Sequence, residues 1–298
     1  VPSRRLAGHL FTFITIAIWS VAFVGNKVLL AYLTPIEIML YRFLLAWGLL
    51  LALYPRWRTV RSWRDEAYFF LLGFLGIFLY FLLENFALRF TQASNVGLYM
   101  GAIPVLTALL AHFLVRGERF RTALLLGFLI ALAGMGLILF SERHFTLRLR
   151  GDLLALAGAA TFALYSVALK KAPQDYHFLL IARKSFFYGI VLMLLYLALA
   201  HEPLHLPALK LPVVWLNLLF LGLFSSGLAF ILWQQGIDRI GPVAAGNYIY
   251  LVPLLTTLTG VIVLDEEITP AMLTGGALIL LGLFVAQRRT APDNRDVR

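Results

Sequence analysis

Cysteine is absent from this 298-residue chain. Its absence excludes a disulfide framework, a thiolate nucleophile and any Cys-ligated metal. Charge is also scarce. Asp, Glu, Lys and Arg together make up 13% of the residues, against roughly 25% in an ordinary soluble domain. There is no glycine-rich loop ending in Lys-Ser or Lys-Thr, so the chain is not expected to hydrolyse ATP. The histidines, His9, His112, His144, His177, His201 and His205, are scattered, mostly in loops or at the ends of apolar runs, without metal-ligand spacing. No order of Ser, His and Asp supports a nucleophilic triad. These gaps argue against an enzyme, including one acting on lipids within the membrane, which would need a clustered polar set. They also leave no cofactor or metal site to expect. A solute sensor would need an output domain, and no polar segment is long enough to be one.

What the chain has instead is apolar length. Hydrophobic residues make up 61% of it, and the mean hydropathy is +0.86. A hydrocarbon layer of about 30 Å takes roughly 20 apolar residues to cross, which leaves room for roughly ten spans and no separate soluble domain. Apolar runs between charged, Pro and Gly punctuation place them near 9–32, 35–54, 67–90, 93–115, 121–140, 151–170, 177–200, 212–236, 243–264 and 270–287. The run from Leu10 to Leu33 exceeds the ~7–15 residues of a signal-peptide core, so it reads as the first permanent span. Each span must be helical, because backbone groups in lipid have no water to bond. The formal charge of +10 comes from Arg and Lys in short loops, a topology signal rather than a nucleic-acid face. With the N-terminus inside, the inner loops hold Arg56, Arg58, Arg61, Arg64, Arg116, Arg119, Lys170, Lys171 and Arg239, while the outer ones hold little beyond Arg89, Arg143, Arg148, Arg150 and Lys210. That asymmetry predicts a multi-pass protein of the cytoplasmic (inner) membrane with both termini in the cytoplasm.

The stretch from Gly73 to Gly127 has an echo 149 positions later. Gly73 falls on Gly222, Asn85 on Gln234, Gly97 on Gly246, Tyr99 on Tyr248, Pro104 on Pro253, Thr107 on Thr256, Glu118 on Glu267 and Gly127 on Gly276. An echo half a chain long marks a duplicated unit. Units with an odd number of spans enter the membrane from opposite faces, so the fold class expected is all-α integral membrane, ten transmembrane helices in two inverted five-helix repeats, 1–148 and 149–298.

Several side chains stand out against this apolar background. Gly73, Gly76, Tyr80 and Glu84 form one helical stripe, and Gly222, Ser225, Ala229 and Trp233 form its counterpart. Such stripes are either packing seams or seams whose far ends line a cavity. An acid inside an apolar helix costs about 2.5–3.5 kcal/mol on insertion scales. Glu84 is therefore expected to face the interior, where a carboxyl that can hold a proton is a candidate for coupling; the alternative places it at the span end beside Arg89. Arg42 is a candidate carboxylate binder. Arg183 and Lys184 are expected to snorkel to the headgroups, and Glu37 to lie at the interface. Trp19 with Ser20, Asn26 and Lys27, and Tyr165 with Ser166 and Lys170, make a looser second echo. Asn95, Tyr99, Asn247 and Tyr248 precede Pro104 and Pro253, which are expected to bend their helices and free backbone groups for a ligand. The substrate-binding set is thus Trp19, Tyr80, Glu84, Asn95, Tyr99, Tyr165, Trp233, Asn247 and Tyr248.

Taken with Arg42, four motifs carry a resemblance: Trp19-Ser20 with Lys27, Ala93-Ser94-Asn95 leading into Pro104, Gly117-Glu118-Arg119, and Tyr250-Leu251-Val252-Pro253 through Glu267. Over nearly its whole length the chain resembles the EamA-type branch of the drug/metabolite transporter superfamily. The resemblance implies a central cavity between the first four helices of each repeat, with the fifth and tenth helices supporting or dimerising. It implies export of small metabolites, amino acids or amphipathic drugs by proton exchange, substrate exchange or facilitated diffusion. Expected partners are the bilayer, a small solute and protons, with a monomer or a homodimer both compatible and no nucleic acid. Two inverted halves favour alternating access; the rival is a passive channel or lipid scramblase of the same topology.

Overall fold

A computed structural model describes residues 2–55, 60–91, 96, 99–115, 121–141, 148–173, 175–202, 204–252, 254–255, 258–259 and 269–287. The Lys27 side chain, Ala93, Ser94, Asn95, Gly97, residues 117–119, Pro253, Thr256 and Glu267 lie outside the described residues. The described elements are all helical. They are α1 (Pro2–Leu29), α2 (Pro35–Leu53), α3 (Trp63–Phe90), α4 (Ile103–Leu114), α5 (Thr122–Ser141), α6 (Leu149–Lys170), α7 (Phe178–Ala200), α8 (Pro212–Ile240), the short α9 (Pro242–Gly246) and α10 (Pro270–Gln287). Six of them, α1, α2, α3, α6, α7 and α8, contain stretches long and apolar enough to cross a membrane. Ile103–Leu114, Thr122–Ile138 and Pro270–Ala286 are shorter apolar helices.

Local chemistry sets several helix ends. Thr34 and Glu37 form a reciprocal capping box at the start of α2, and the Ser62 hydroxyl accepts the Asp65 N–H at 3.2 Å at the start of α3. Each satisfies an N–H that has no partner within its helix. At the end of α8, Gly241 takes φ 86°, a left-handed value open to a residue without Cβ, and Pro242 follows. Pro104 does not bend a continuous helix as expected. The chain turns at Gly101 and Ala102, and Pro104 sits in the first turn of α4, where a missing N–H leaves no helical bond unmade.

Glycines let backbones approach, which drives association where lipid offers no hydrophobic gain. Along α1 and α8 residue numbers run in opposite senses: Gly8 abuts Ile240, Thr15 Oγ1 donates to Ala229 O at 3.2 Å, and Gly25 faces Asn217. The pair α3 and α6 repeats this antiparallel arrangement, with Tyr68 OH donating to Ala168 O at 2.8 Å, Gly76 under the Tyr165 ring, and Thr91 Oγ1 donating to Asp152 Oδ1 at 2.9 Å. Helices α2 and α8 run parallel, Gly222 against Arg42 O and Leu45, Gly227 against Leu49; α7 and α3 do the same, Gly73 against Ser185 O and Tyr188, Gly189 against Ile77. Helices α5 and α10 cross antiparallel. A Cβ on Gly127 would lie 2.5 Å from Gly282 O, and one on Gly134 would lie 2.5 Å from Gly275 O.

Both long broken-pattern helices contain a π-helical stretch, Phe74–Leu79 in α3 and Phe220–Leu228 in α8. Nothing in the sequence announced them. Widened turns of this kind release carbonyls from the helical ladder and are frequent at functional sites.

The end of the bundle that carries the first residues is tied by ion pairs: Arg4 to Asp238 at 3.3 Å, Arg61 to Asp175 at 3.1 Å and Lys184 to Glu66 at 2.7 Å. Lys184 therefore pairs with an acid instead of snorkelling. Arg183 is buried and donates to Tyr54 O at 2.7 Å. Tyr176 OH donates to Asp65 at 2.8 Å; burial pushes its hydroxyl pKa upward, and the Asp65 charge adds to this. At the opposite end Glu37 is buried rather than interfacial. Its oxygens accept the Thr34 N–H at 2.8 Å and the His205 N–H, and one lies 2.9 Å from His205 Nδ1, so water is not needed to satisfy them.

Candidate functional site

Helices α1, α2, α3, α4, α6 and α8, with residues after α9, line a cavity of about 60 Å³. That is below the range of about 300–1,000 Å³ common for small-molecule sites, so a solute of that size needs the walls to part. Its polar lining comes from Trp19, Asn26, Arg42, Tyr80, Glu84 and Ser225; Phe81, Met100, Phe162 and Phe230 supply most of the apolar wall.

Two opposite charges face this chamber. Arg42 is 3% exposed and Glu84 4%. A charge removed from water stays only if other groups replace its hydration, and for Arg42 these are identifiable. Its Nε donates to Ser226 Oγ at 2.6 Å, its Nη2 to Ser225 Oγ at 3.0 Å, and its guanidinium carbon lies 4.8 Å from the centre of the Phe81 ring. Both serines sit in the widened turns of α8, so the wide helix presents two adjacent hydroxyls to one guanidinium. Trp19 Nε1 donates to Ser225 O at 3.0 Å, using a carbonyl of the same stretch. On the other wall the Tyr80 hydroxyl is within reach of the Glu84 carboxylate, one helical turn away. Asn26 donates to Asn85 Oδ1 at 3.3 Å, but its own carbonyl oxygen is buried without a partner among the described residues. A guanidinium, a carboxyl and a spare amide carbonyl among aromatic rings are the groups that would recognise a solute with an apolar body and small charged or polar ends.

The residues singled out in the sequence do not all meet here. Trp19, Tyr80, Glu84 and Arg42 line the cavity. Tyr165 and Trp233 are buried behind it: Tyr165 covers Gly76, and Trp233 packs against Trp19 at 5.2 Å and Phe162 at 5.6 Å between ring centres. Tyr248 lies elsewhere, its hydroxyl 3.0 Å from His9 Nδ1. Tyr99 is half-buried and reaches toward Asp152. Asn247 is buried, with its carbonyl oxygen lacking a protein partner, and does not line the cavity. Asn95 and Pro253 fall outside the described residues. Of the two small-residue stripes, the glycines are seams, whereas Tyr80, Glu84 and Ser225 reach the cavity. Sequence reasoning missed Ser225 and Ser226 as partners of Arg42. The adjacent hydroxyls in an apolar helix were the available signal, but their meeting on one guanidinium depends on the widened turn and on how α2 packs against it.

The EamA-like transporter family model matches residues 6–140 and again residues 149–287. The chain belongs to the EamA-like transporter family. An uncharacterised transporter of Archaeoglobus fulgidus is 26% identical over 282 residues, covering 93% of this chain and 96% of that protein. The uncharacterised transporter YyaM of Bacillus subtilis is 26% identical over 87% of each chain. A probable terminal-alkyne amino-acid exporter of Streptantibioticus cattleyicolor is 27% identical, covering 78% of this chain and 77% of that one. A crystal structure of a protein at 25% identity superposes with a TM-score of 0.78, covering 95% of this chain and 98% of that one. This EamA-like chain is accordingly a multi-pass membrane transporter of the drug/metabolite transporter superfamily and not an enzyme.

Proposed function

We propose that this transporter exports small amphipathic solutes, zwitterionic metabolites, amino acids or drugs among them, across the cytoplasmic membrane by alternating access. The observation that carries the reading is a buried guanidinium and a buried carboxyl facing one aromatic chamber, where Arg42 would take a carboxylate and Glu84 would take a proton or an ammonium group. Ten helices in two inverted five-helix repeats, 1–148 and 149–298, would give two states of similar energy. In support, the family matches the chain twice, and the contact of Gly222 with Arg42 O and Leu45 has a counterpart in that of Gly73 with Ser185 O and Tyr188. With both termini cytoplasmic, the ion-paired end is the cytoplasmic one and the cavity lies in the outer half of the bilayer. A monomer is sufficient for this mechanism, since α5 and α10 already cover each other.

Counterflow in proteoliposomes tests the reading. Labelled amino acids and amphipathic cations should enter saturably, and faster when the same solute is loaded on the opposite side. Uptake without that acceleration would favour a passive channel or lipid scramblase instead.

A further inference from the structure

A second cavity lies toward the ion-paired end, where α6, the turn after it, α7 and α8 meet. Its lining includes Lys170, Ala172, Tyr176, His177, Gln234 and Asp238. Gln234 is only 9% exposed, lines this space and forms no hydrogen bond among the described residues. Its amide atoms stay open to this space, where a solute group could take the place of solvent. Asp238 is the one acid in the lining, and its existing pairs are easily displaced: Lys170 Nζ stands 3.9 Å from Oδ1 and Arg4 3.3 Å from Oδ2, with these side chains 32–71% exposed. Exposed pairs of this kind contribute about 0–1 kcal/mol. Lys170 would keep a second partner, the Asp238 carbonyl at 2.9 Å, if its place were taken. Tyr176, His177 and Phe178 add aromatic surface to the same lining, which suits a cation on an apolar body.

One aromatic layer separates this space from the central cavity. Along α8 the central cavity ends at Phe230 and the second begins at Gln234, roughly 6 Å further at ~1.5 Å per residue. Trp233 lies between them, fully buried, its Nε1 without a protein partner, in ring contact with Trp19 and Phe162. We propose that the second cavity is a cytoplasmic docking site for an amphipathic solute bearing an ammonium group, held by Asp238 and Gln234. It would be the inner end of a path of which Trp233 and Trp19 form the closed gate. The proposal rests on the transport reading above and adds a site to it.

The cysteine-free chain makes the test direct. Ala172→Cys places a thiol in the second cavity and Ala22→Cys one in the central cavity. In inside-out vesicles, tryptamine should slow labelling of Ala172→Cys by a membrane-impermeant thiol reagent. Adding Asp238→Asn should raise the protecting tryptamine concentration about tenfold, as loss of a charged hydrogen-bond partner does. Gln234→Ala should weaken protection in the same direction, which keeps the test decisive if Asp238→Asn folds poorly. Labelling of Ala172→Cys that ignores tryptamine, or protection that ignores both substitutions, overturns the second site. If tryptamine then still protects Ala22→Cys from the outer side, the central cavity survives and only this inference falls.

Discussion

Gly73 of α3 lies against Ser185 O and the Tyr188 Cβ of α7, and Gly222 of α8 lies against Arg42 O and the Leu45 Cβ of α2. These matched contacts put Arg42 and Ser185 in corresponding places, and the 149-residue shift puts Glu84 opposite Trp233 and Tyr80 opposite Ala229. The packing surfaces of the two halves are alike, but the side chains facing the centre are not. Both intramembrane charges of the cavity come from the first half, whereas the second half offers the serines that hold Arg42 and the tryptophan that backs the chamber. A duplicated backbone can supply two conformations of similar energy while divergence at a few positions supplies one polar ligand site.

The seams should respond alike in both halves. Gly73→Leu and Gly222→Leu, matched by the 149-residue shift, each force a side chain onto the facing helix, at Ser185 O of α7 and at Leu45 Cβ of α2; overpacking a tight core costs about 1–3 kcal/mol or more. Both variants should lose most of their monodisperse peak in detergent size-exclusion chromatography. Tolerance of one and not the other would break the equivalence of the halves.

The charges should respond unequally. Arg42→Ala strips two buried serines of their partner and should weaken binding of a transported solute about 100-fold, in line with ~2–5 kcal/mol for truncating a buried charge partner. Ser185→Ala, at the matching place, should change it by less than about twofold, because exposed or self-satisfied hydroxyls contribute little and this one donates to Ile181 O of its own helix at 2.9 Å. Equal losses in a titration of solute binding would mean that the asymmetry is decorative. Glu84→Gln keeps the shape of the chamber and removes the only acid among its described lining residues. Transport in reconstituted vesicles should lose its pH dependence; a preserved pH profile would leave Glu84 outside the coupling step.

The smallest effect is expected at Gly48, where a Cβ would meet nothing within 4 Å. Gly48→Ala should stabilise the protein by about 0.4–1 kcal/mol, because fewer unfolded conformations are lost on folding. A small rise in the thermal midpoint would check this. A fall would mean that the open face of α2 has a contact which packing within the chain does not include.

How legible the site was follows from the same contrast. Glu84 and Arg42 could be picked out because a charge in an apolar run is costly whatever surrounds it. Tyr99, Tyr248 and Asn247 were chosen for their place before a proline, and that signal misled. Pro104 opens a helix rather than kinking one, Tyr99 and Asn247 do not line the chamber, and Tyr248 is engaged by His9 instead. Ser225 and Ser226 were invisible as a pair, since on a regular helix adjacent residues point about 100° apart. The widened turns of α8 narrow that angle, and Arg42 spans it by using two different nitrogens, Nε for Ser226 and Nη2 for Ser225.

By itself the sequence determined the apolar helices, the two-fold echo of glycines and the identity of the buried charges, because these depend on transfer into lipid and on which residues lack a Cβ. Only the tertiary structure decided which of the chosen side chains share a cavity. It also decided that Arg42 is held by hydroxyls of the other half and that two chambers lie on either side of one tryptophan. Those outcomes depend on helix rotation and on two irregular turns, and the pattern of residues along the chain specifies neither.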